Sequence, residues 1–159
     1  MKKYNFSAGP SILAKDVINE AAKSVSELNN IGLSLLEISH RSQDFIDIIH
    51  EAKRLTKKIL NISNNYEVLF LQGGASLQFY MSALNFSQQN GGGYIDTGIW
   101  SQKAIKEARL FGEIVEVASS QEDNFKYIPK GYAIPSDLDY LRLTSNNTIY
   151  GTQFHPEKS

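Results

Sequence analysis

Two adjacent glycines join an apolar run to a helical pattern in the segment LFLQGGASLQF, residues 69–79. A helix that begins near Ala75 directs free backbone N–H groups, and the positive end of its dipole, toward the preceding loop. Ser76 adds a hydroxyl group, so the loop has the chemistry of a phosphate site. The alternative is a tight strand-to-helix turn. The spacing matches neither the Walker loop nor GxGxxG, so both interpretations stay open.

Trp100 and Thr148 each follow the end of a predicted strand. Trp100 is the only tryptophan, and its indole could present a flat face to a planar ligand. Thr148, in the segment SNNT, could donate a hydrogen bond to the same ligand. The alternatives are a core or interface tryptophan and a Ser/Thr or Asx turn.

His40 and Arg41 stand directly before a predicted helix. The guanidinium group of arginine is a planar fork that suits a carboxylate or a phosphate, and the histidine could add a second donor for an anionic substrate. The alternative is a solvated charged pair with Ser42 as the helix N-cap. Ser7, in the N-terminal loop, is uninformative from its residue type alone.

Strands and helices must alternate to position these residues. Apolar spacing predicts helices over residues 15–29 and 45–59, a third from about residue 77, and a fourth over 104–111. Strands are predicted at 67–71, 94–97, 114–117 and 138–143. This order predicts an α/β fold with three layers, a mostly parallel sheet with helices on both faces. In such open sheets, ligands collect beyond the carboxyl ends of the strands.

The composition and charge of the chain exclude several classes of function. The chain has 159 residues, a net charge of −1 and no cysteine. No basic stripe indicates nucleic-acid binding, and no apolar run reaches membrane-spanning length. The absence of cysteine excludes disulfides, thiolate metal sites and a cysteine nucleophile, and no metal site is expected. The N-terminus does not have the pattern of a signal peptide, so we expect a cytoplasmic location.

Several stretches, in order, resemble one family. They are NFSAGPSIL, LEISHRS, NYEVLFLQGGAS, YIDTGIW, AIKEARLFGEIVEVASS and TSNNTIYGT. Together they cover about residues 4–152 and resemble the N-terminal part of the phosphoserine aminotransferases, class V aminotransferases that are fold type I pyridoxal-phosphate enzymes. The resemblance implies an N-terminal arm at 1–14 and an incomplete large domain at 15–159, without the rest of that domain or the small domain.

The resemblance also implies an activity. Family members are homodimers that exchange an amino group between glutamate and 3-phosphohydroxypyruvate in serine biosynthesis, and some also serve pyridoxine biosynthesis. The cofactor, pyridoxal 5'-phosphate, would be held through its phosphate by Ala75 and Ser76. Trp100 would stack on its pyridine ring, and Thr148 would form a hydrogen bond on its phenolic-oxygen side.

The resemblance places Arg41 at the substrate carboxylate and His40 near the substrate phosphate, with Ser7 also assigned to substrate binding. No lysine of this sequence matches the family's Schiff-base lysine, so no catalytic residue is assigned. We therefore expect that residues 1–159 by themselves do not catalyse transamination.

The tail YGTQFHPEKS, residues 150–159, resembles a segment of class I glutamine amidotransferases in which His155 and Glu157 would be the catalytic pair. That chemistry needs a cysteine nucleophile, which this chain lacks. We interpret the tail as chance similarity or a junction. The alternatives to an aminotransferase are a non-catalytic fragment that binds phosphate ligands and, less favoured, a glutaminase-like piece.

Overall fold

A computed structural model of the chain describes residues 3–7 and 9–155. The chain divides into two compact units, residues 1–70 and 71–159, and each is described here by itself. The first contains two helices, α1 (Lys15–Ser26) and α2 (Gln43–Ile59). Both occupy the predicted positions, and the boundaries differ by a few residues.

The start of α2 confirms one structural interpretation of the sequence. Ser42 is the N-cap, and its hydroxyl oxygen accepts a hydrogen bond from the backbone N–H of Phe45 at 3.4 Å. Asp44 in the first turn and Lys57 and Lys58 in the last complement the helix dipole. Local sequence is therefore sufficient to explain where this helix begins.

The predicted strand at residues 67–71 is wrong. The segment has no strand assignment, and only Val68 is buried, while Leu69 and Phe70 are 67% and 56% exposed. A buried parallel strand requires a neighbour that satisfies its N–H and C=O groups. Among the described residues no strand pairs with this segment, so its apolar composition alone does not make it part of a sheet.

The second unit contains a βαβ arrangement. Its elements are α3 (Gly74–Phe86), β1 (Gly92–Asp96), α4 (Ile99–Ala108), β2 (Ile114–Ser119), a 3-10 turn (Gln121–Asp123) and β3 (Tyr140–Arg142). The strand order is β2–β1–β3, and both pairings are parallel. The α/β class with a parallel sheet is confirmed, with β1 at the centre.

Helices α3 and α4 pack on each other and on β1 through small side chains. Ala83, Ala104 and Ala108 are fully buried with Tyr94 in one apolar cluster. Helix α3 leads into β1 and α4 leads into β2, so both helices end at the amino edge of the sheet. Both therefore begin near its carboxyl edge, where their free N–H groups and the strand ends lie.

A short antiparallel pair follows β3. Strands β4 (Asn146–Asn147) and β5 (Thr152–Gln153) form a hairpin whose turn begins at Thr148. Two-residue strands carry little periodicity, so the sequence did not predict this hairpin. It matters because it determines where Thr148 stands.

Candidate functional site

The turn after β1 is held by a buried network of hydrogen bonds. The hydroxyl of Ser101 donates to Asp96 Oδ1 at 2.7 Å and accepts from the backbone N–H groups of Thr97 and Gly98, each at 2.9 Å. Gln102 Nε2 donates to Asp96 Oδ2 at 3.3 Å. Asp96 and Ser101 are both almost fully buried. The first turn of α4 is therefore fixed to the end of β1.

A second contact connects this turn to the β4–β5 hairpin. Asn147 Nδ2 donates to Thr97 Oγ1 at 2.9 Å, and both residues are fully buried. A Cβ atom on Gly98 would lie 2.6 Å from Asn147 Oδ1. Residue 98 must therefore be glycine for the hairpin to come this close. The hydrogen bond joins residues that are 50 positions apart in the sequence.

These contacts bring Trp100 and Thr148 together. The indole N–H of Trp100 donates to Thr148 Oγ1 at 3.4 Å. Trp100 is half-buried in the first turn of α4, and Thr148 is exposed. The ammonium nitrogen of Lys103 lies 4.6 Å from the centre of the Trp100 ring. An aromatic plane and a hydroxyl thus stand side by side at the carboxyl edge of the sheet.

The start of α3 shows that the two glycines differ. Gly73 is the N-cap with φ of 94°, and a Cβ atom there would lie 2.5 Å from Leu77 Cβ. Gly74 has φ of 58°, but nothing lies within 4 Å of where its Cβ would be. Gly73 is therefore required by the turn itself, as the structural interpretation proposed. Gly74 faces open space, as a ligand site requires.

Ala75 and Ser76 occupy the second and third positions of α3, and both are exposed. The first backbone hydrogen bond of the helix runs from the N–H of Leu77 to the carbonyl of Gly73 at 3.3 Å. Within the described part of the chain, no acceptor is recorded for the N–H groups of Ala75 and Ser76. These are the unpaired donors from which helix N-termini form anion sites.

Sequence reasoning missed a basic residue near this edge. The guanidinium of Arg142, at the end of β3, lies 4.6 Å from the centre of the Phe79 ring and 5.9 Å from that of Tyr94. Burial lowers the pKa of Arg142, and the hydroxyls of Tyr94 and Tyr140 are 3.0 Å apart beside it. A lone arginine in the strand YLR carried no signal, because its aromatic neighbours come from other elements.

The network residues Asp96, Thr97, Ser101 and Asn147 were also missed. The available signal was the density of small polar residues after two strands, in DTGIWS and TSNN. Such runs are typical of turns as well as of sites. Only their burial distinguishes a connected network from solvated loops.

The predicted substrate residues lie in the first unit. His40 and Arg41 are exposed in the turn before α2, where the backbone N–H of Arg41 donates to Ser39 Oγ at 3.1 Å. Ser7 is exposed, and its N–H donates to Asn5 Oδ1 at 2.8 Å. Their roles toward a substrate stay predictions.

The tail residue His155 is exposed and lines an apolar cavity of about 540 Å³, with Tyr127, Pro129, Tyr132 and Phe154 among its other walls. Glu157, its predicted partner, lies outside the described residues. Over residues 3–7 and 9–155, no cluster of side chains has the composition of a metal site. No helix in that same part of the chain is both long enough and apolar enough to span a membrane.

Comparison with known proteins places this geometry in a family. The chain is 54% identical to the phosphoserine aminotransferase of Phocaeicola vulgatus over 99% of its own length and 44% of that relative's. A solved structure of phosphoserine aminotransferase, described for radiation damage of its Schiff base, matches with a TM-score of 0.90 and 42% identity. It covers 99% of this chain and 45% of that one.

The pyridoxal-phosphate-bound phosphoserine aminotransferase of Trichomonas vaginalis matches with a TM-score of 0.87 and 30% identity, over 97% of this chain and 44% of its own. The chain thus spans less than half the length of the relatives that it matches. The family model described as aminotransferase class-V matches residues 3–159. The chain belongs to the class-V aminotransferase family.

Proposed function

We propose that this chain contributes the cofactor-binding edge of a pyridoxal-phosphate-dependent phosphoserine aminotransferase. The proposal rests on family membership together with one observation. The Trp100 indole and the Thr148 hydroxyl are joined at 3.4 Å beside the helix starts at the carboxyl edge of the sheet. This is the edge at which open α/β sheets bind their ligands.

The described residues fit the cofactor. The N–H groups of Ala75 and Ser76 and the Ser76 hydroxyl are free to donate to a phosphate, and the space before Gly74 is open. Trp100 offers a ring face for stacking, and Thr148 has an exposed hydroxyl for a polar ring substituent. When bound, pyridoxal phosphate supplies the electron-accepting ring system for amino transfer.

The residues of this chain would bind and orient. The N-terminal dipole of α3 favours the phosphate's negative charge. Trp100 would stack on one face of the ring, and the buried hydrogen bonds of Ser101 would hold the first turn of α4 that carries the indole. Thr148 holds a proton on its hydroxyl that it can donate to an oxygen of the ring. In these roles the residues would orient the cofactor, and no covalent bond of the chain would form or break.

The substrates of the proposed activity are glutamate and 3-phosphohydroxypyruvate, and the pathway is serine biosynthesis. Arg41 would bind a substrate carboxylate, His40 would lie near the substrate phosphate, and Ser7 would also take part in substrate binding. A homodimer, a cytoplasmic location and a role in pyridoxine biosynthesis belong to the same proposal. No lysine of residues 1–159 is assigned to covalent catalysis, so we expect no transamination by these residues alone.

The test is a titration of the chain with pyridoxal phosphate, followed by quenching of the single tryptophan's fluorescence. Pyridoxal, which lacks the phosphate, serves as the comparison ligand. We expect Ser76→Ala to weaken pyridoxal phosphate binding about fivefold, the equivalent of one hydrogen bond, and to leave pyridoxal binding unchanged. Ser82→Ala is the matched control, because that hydroxyl donates within α3 to the carbonyl of Gln78 at 2.7 Å.

The titration also separates the second candidate, a non-catalytic site for phosphate ligands in general. That candidate predicts equal quenching and equal competition by inorganic phosphate and by pyridoxal phosphate, with no contribution from the ring. Absence of any Trp100 quenching by pyridoxal phosphate would contradict the proposed function. The glutaminase hypothesis requires that the chain release ammonia from glutamine and that His155→Ala abolish this release.

A further inference from the structure

The hydrogen bond between Asn147 and Thr97 is buried beneath the proposed site and is not exposed to solvent. Both side chains are fully buried, and Asn147 is among the largest fully buried side chains in the described residues. A buried polar side chain is costly unless a hydrogen bond compensates for its lost hydration. The amide therefore needs a reason to be there, since an apolar residue would fill the same space more cheaply.

The position of Asn147 supplies that reason. It immediately precedes Thr148 at the end of β4, while Thr97 is three residues before Trp100 in the turn after β1. The hydrogen bond between them, 2.9 Å from Nδ2 to Oγ1, thus connects the segment that carries the Trp100 ring with the segment that carries the Thr148 hydroxyl. The surface contact between Trp100 and Thr148 is longer, at 3.4 Å, and exposed, so it constrains their separation less than the buried hydrogen bond does.

Three further observations limit what the contact between Asn147 and Thr97 can do. Gly98 leaves no space beyond Asn147 Oδ1, which lies 2.6 Å from where a Cβ atom would be. The turn side is rigid, because Ser101 holds the N–H groups of Thr97 and Gly98. The hairpin side is short, with two residues in each strand. The Asn147 amide therefore fixes the short hairpin to the turn after β1.

We propose that Asn147 is a positioning residue that sets the distance between Thr148 and Trp100 through its hydrogen bond to Thr97. The inference rests on the proposed function, in which Trp100 and Thr148 bind the cofactor ring. The claim that Asn147 sets the distance between Thr148 and Trp100 concerns only the chain's own residues, so it can be tested without a ligand. Asn147 touches no ligand itself and acts through Thr148.

The single tryptophan makes the test direct. In the ligand-free full chain, Thr97→Val removes the acceptor oxygen and preserves the side-chain volume. We expect a shift in the Trp100 emission maximum and a higher quenching constant with acrylamide, because the indole gains freedom. Asn147→Ala should give the same change, and the double variant should be no different from either single one. Thr97→Ser keeps the hydroxyl and should restore the parent values.

Binding provides a second readout. Each single variant should raise the dissociation constant for pyridoxal phosphate about fivefold, as the loss of one buried hydrogen bond implies. The matched control is Ser120→Ala, which removes a buried hydroxyl directly after β2 with no recorded hydrogen-bond partner. It should leave both the emission and the affinity unchanged.

The outcomes are distinguishable. Parent-like emission and quenching in Thr97→Val, with circular dichroism showing an intact fold, would overturn the positioning role even if pyridoxal phosphate binds. Additive effects in the double variant would also overturn it, because the two residues would then act separately. A parent chain that does not bind pyridoxal phosphate would contradict the proposed function, while the ligand-free measurements would still test Asn147.

Discussion

The hydroxyl of Ser101 lies 2.7 Å from the carboxylate oxygen Oδ1 of Asp96, and both residues are almost completely buried. The same hydroxyl oxygen accepts the N–H groups of Thr97 and Gly98. One serine, in the first turn of α4, therefore satisfies three polar groups at the end of the central strand. This arrangement stabilises the site from within the second unit.

Ser101→Ala should destabilise the chain by about 2 kcal/mol, because it leaves a buried carboxylate oxygen and two buried N–H groups without their main partner. The measurement is the midpoint of urea unfolding followed by Trp100 fluorescence. Ser82→Ala is the control, since its hydroxyl bonds only within α3, and it should change the free energy of unfolding by less than about 0.5 kcal/mol. Equal midpoints for both variants would contradict the network's role.

The two glycines before α3 should respond differently to alanine. Gly73→Ala combines a positive φ of 94° with a clash at 2.5 Å from Leu77 Cβ, so we expect a loss of about 2 kcal/mol or more in the free energy of unfolding. Gly74→Ala meets no atom within 4 Å and should cost only about 1 kcal/mol for its left-handed backbone.

Binding should separate the same two variants further. Gly74→Ala places a methyl group in the open space before the helix start, so it should weaken pyridoxal phosphate binding more than pyridoxal binding. The affinities for the two ligands are measured by Trp100 quenching, without urea and at a temperature where both variants are folded. Equal affinities for the two ligands in Gly74→Ala would indicate that the phosphate lies elsewhere.

Tyr94 should make the fold sensitive to alkaline pH. Burial, and then the hydrogen bond with Tyr140, raise the pKa of Tyr94 above its ordinary value. In the unfolded chain this phenol ionises near pH 10, while in the fold it stays protonated. The unfolded state then binds fewer protons, so the free energy of unfolding falls as pH rises above about 10.

Tyr94→Phe should make that decline shallower by up to about 1.4 kcal/mol per pH unit. At neutral pH the same variant loses one partly buried hydrogen bond, at 3.0 Å from the Tyr140 hydroxyl, and should be about 1 kcal/mol less stable. Urea unfolding at a series of pH values measures both effects. Tyr66→Phe is the control, because Tyr66 is exposed, and a slope equal to that of Tyr94→Phe would refute the assignment.

Substitution of Lys103 should change the Trp100 emission more than it changes the affinity for pyridoxal phosphate. Its ammonium group lies 4.6 Å from the centre of the Trp100 ring, one turn further along α4. Lys103→Met removes this cation–π contact and should shift the Trp100 emission, with a stability change of about 0.5 kcal/mol. If the cofactor stacks on the opposite ring face, the affinity for pyridoxal phosphate should stay within about twofold of the parent.

The control for this variant is Lys106→Met, three residues further along the same helix and exposed. It should alter neither the emission nor the affinity. A large loss of affinity in Lys103→Met alone would mean that this lysine contacts the ligand directly, in conflict with stacking on the opposite face.

Sequence periodicity was sufficient for α1, α2 and the alternation from α3 to β2, because each of these elements has an apolar pattern that is satisfied by its own local geometry. The helix start predicted near Ala75, one residue from the observed start at Gly74, and the N-cap Ser42 were also readable, since caps depend on neighbours within three or four residues. The family motifs identified the same segments independently of periodicity. These are all properties of contiguous sequence.

The tertiary structure alone decided the rest. An apolar segment such as residues 67–71 becomes a strand only when another strand pairs with it, and local composition does not contain that information. The contact between Asn147 and Thr97 spans 50 positions, so no local pattern encodes it. The sequence by itself therefore determined the helices, most of the strands and the residue types of the candidate site. Tertiary packing determined which of those residues meet, because burial and long-range hydrogen bonds exist only once the chain has brought distant segments together.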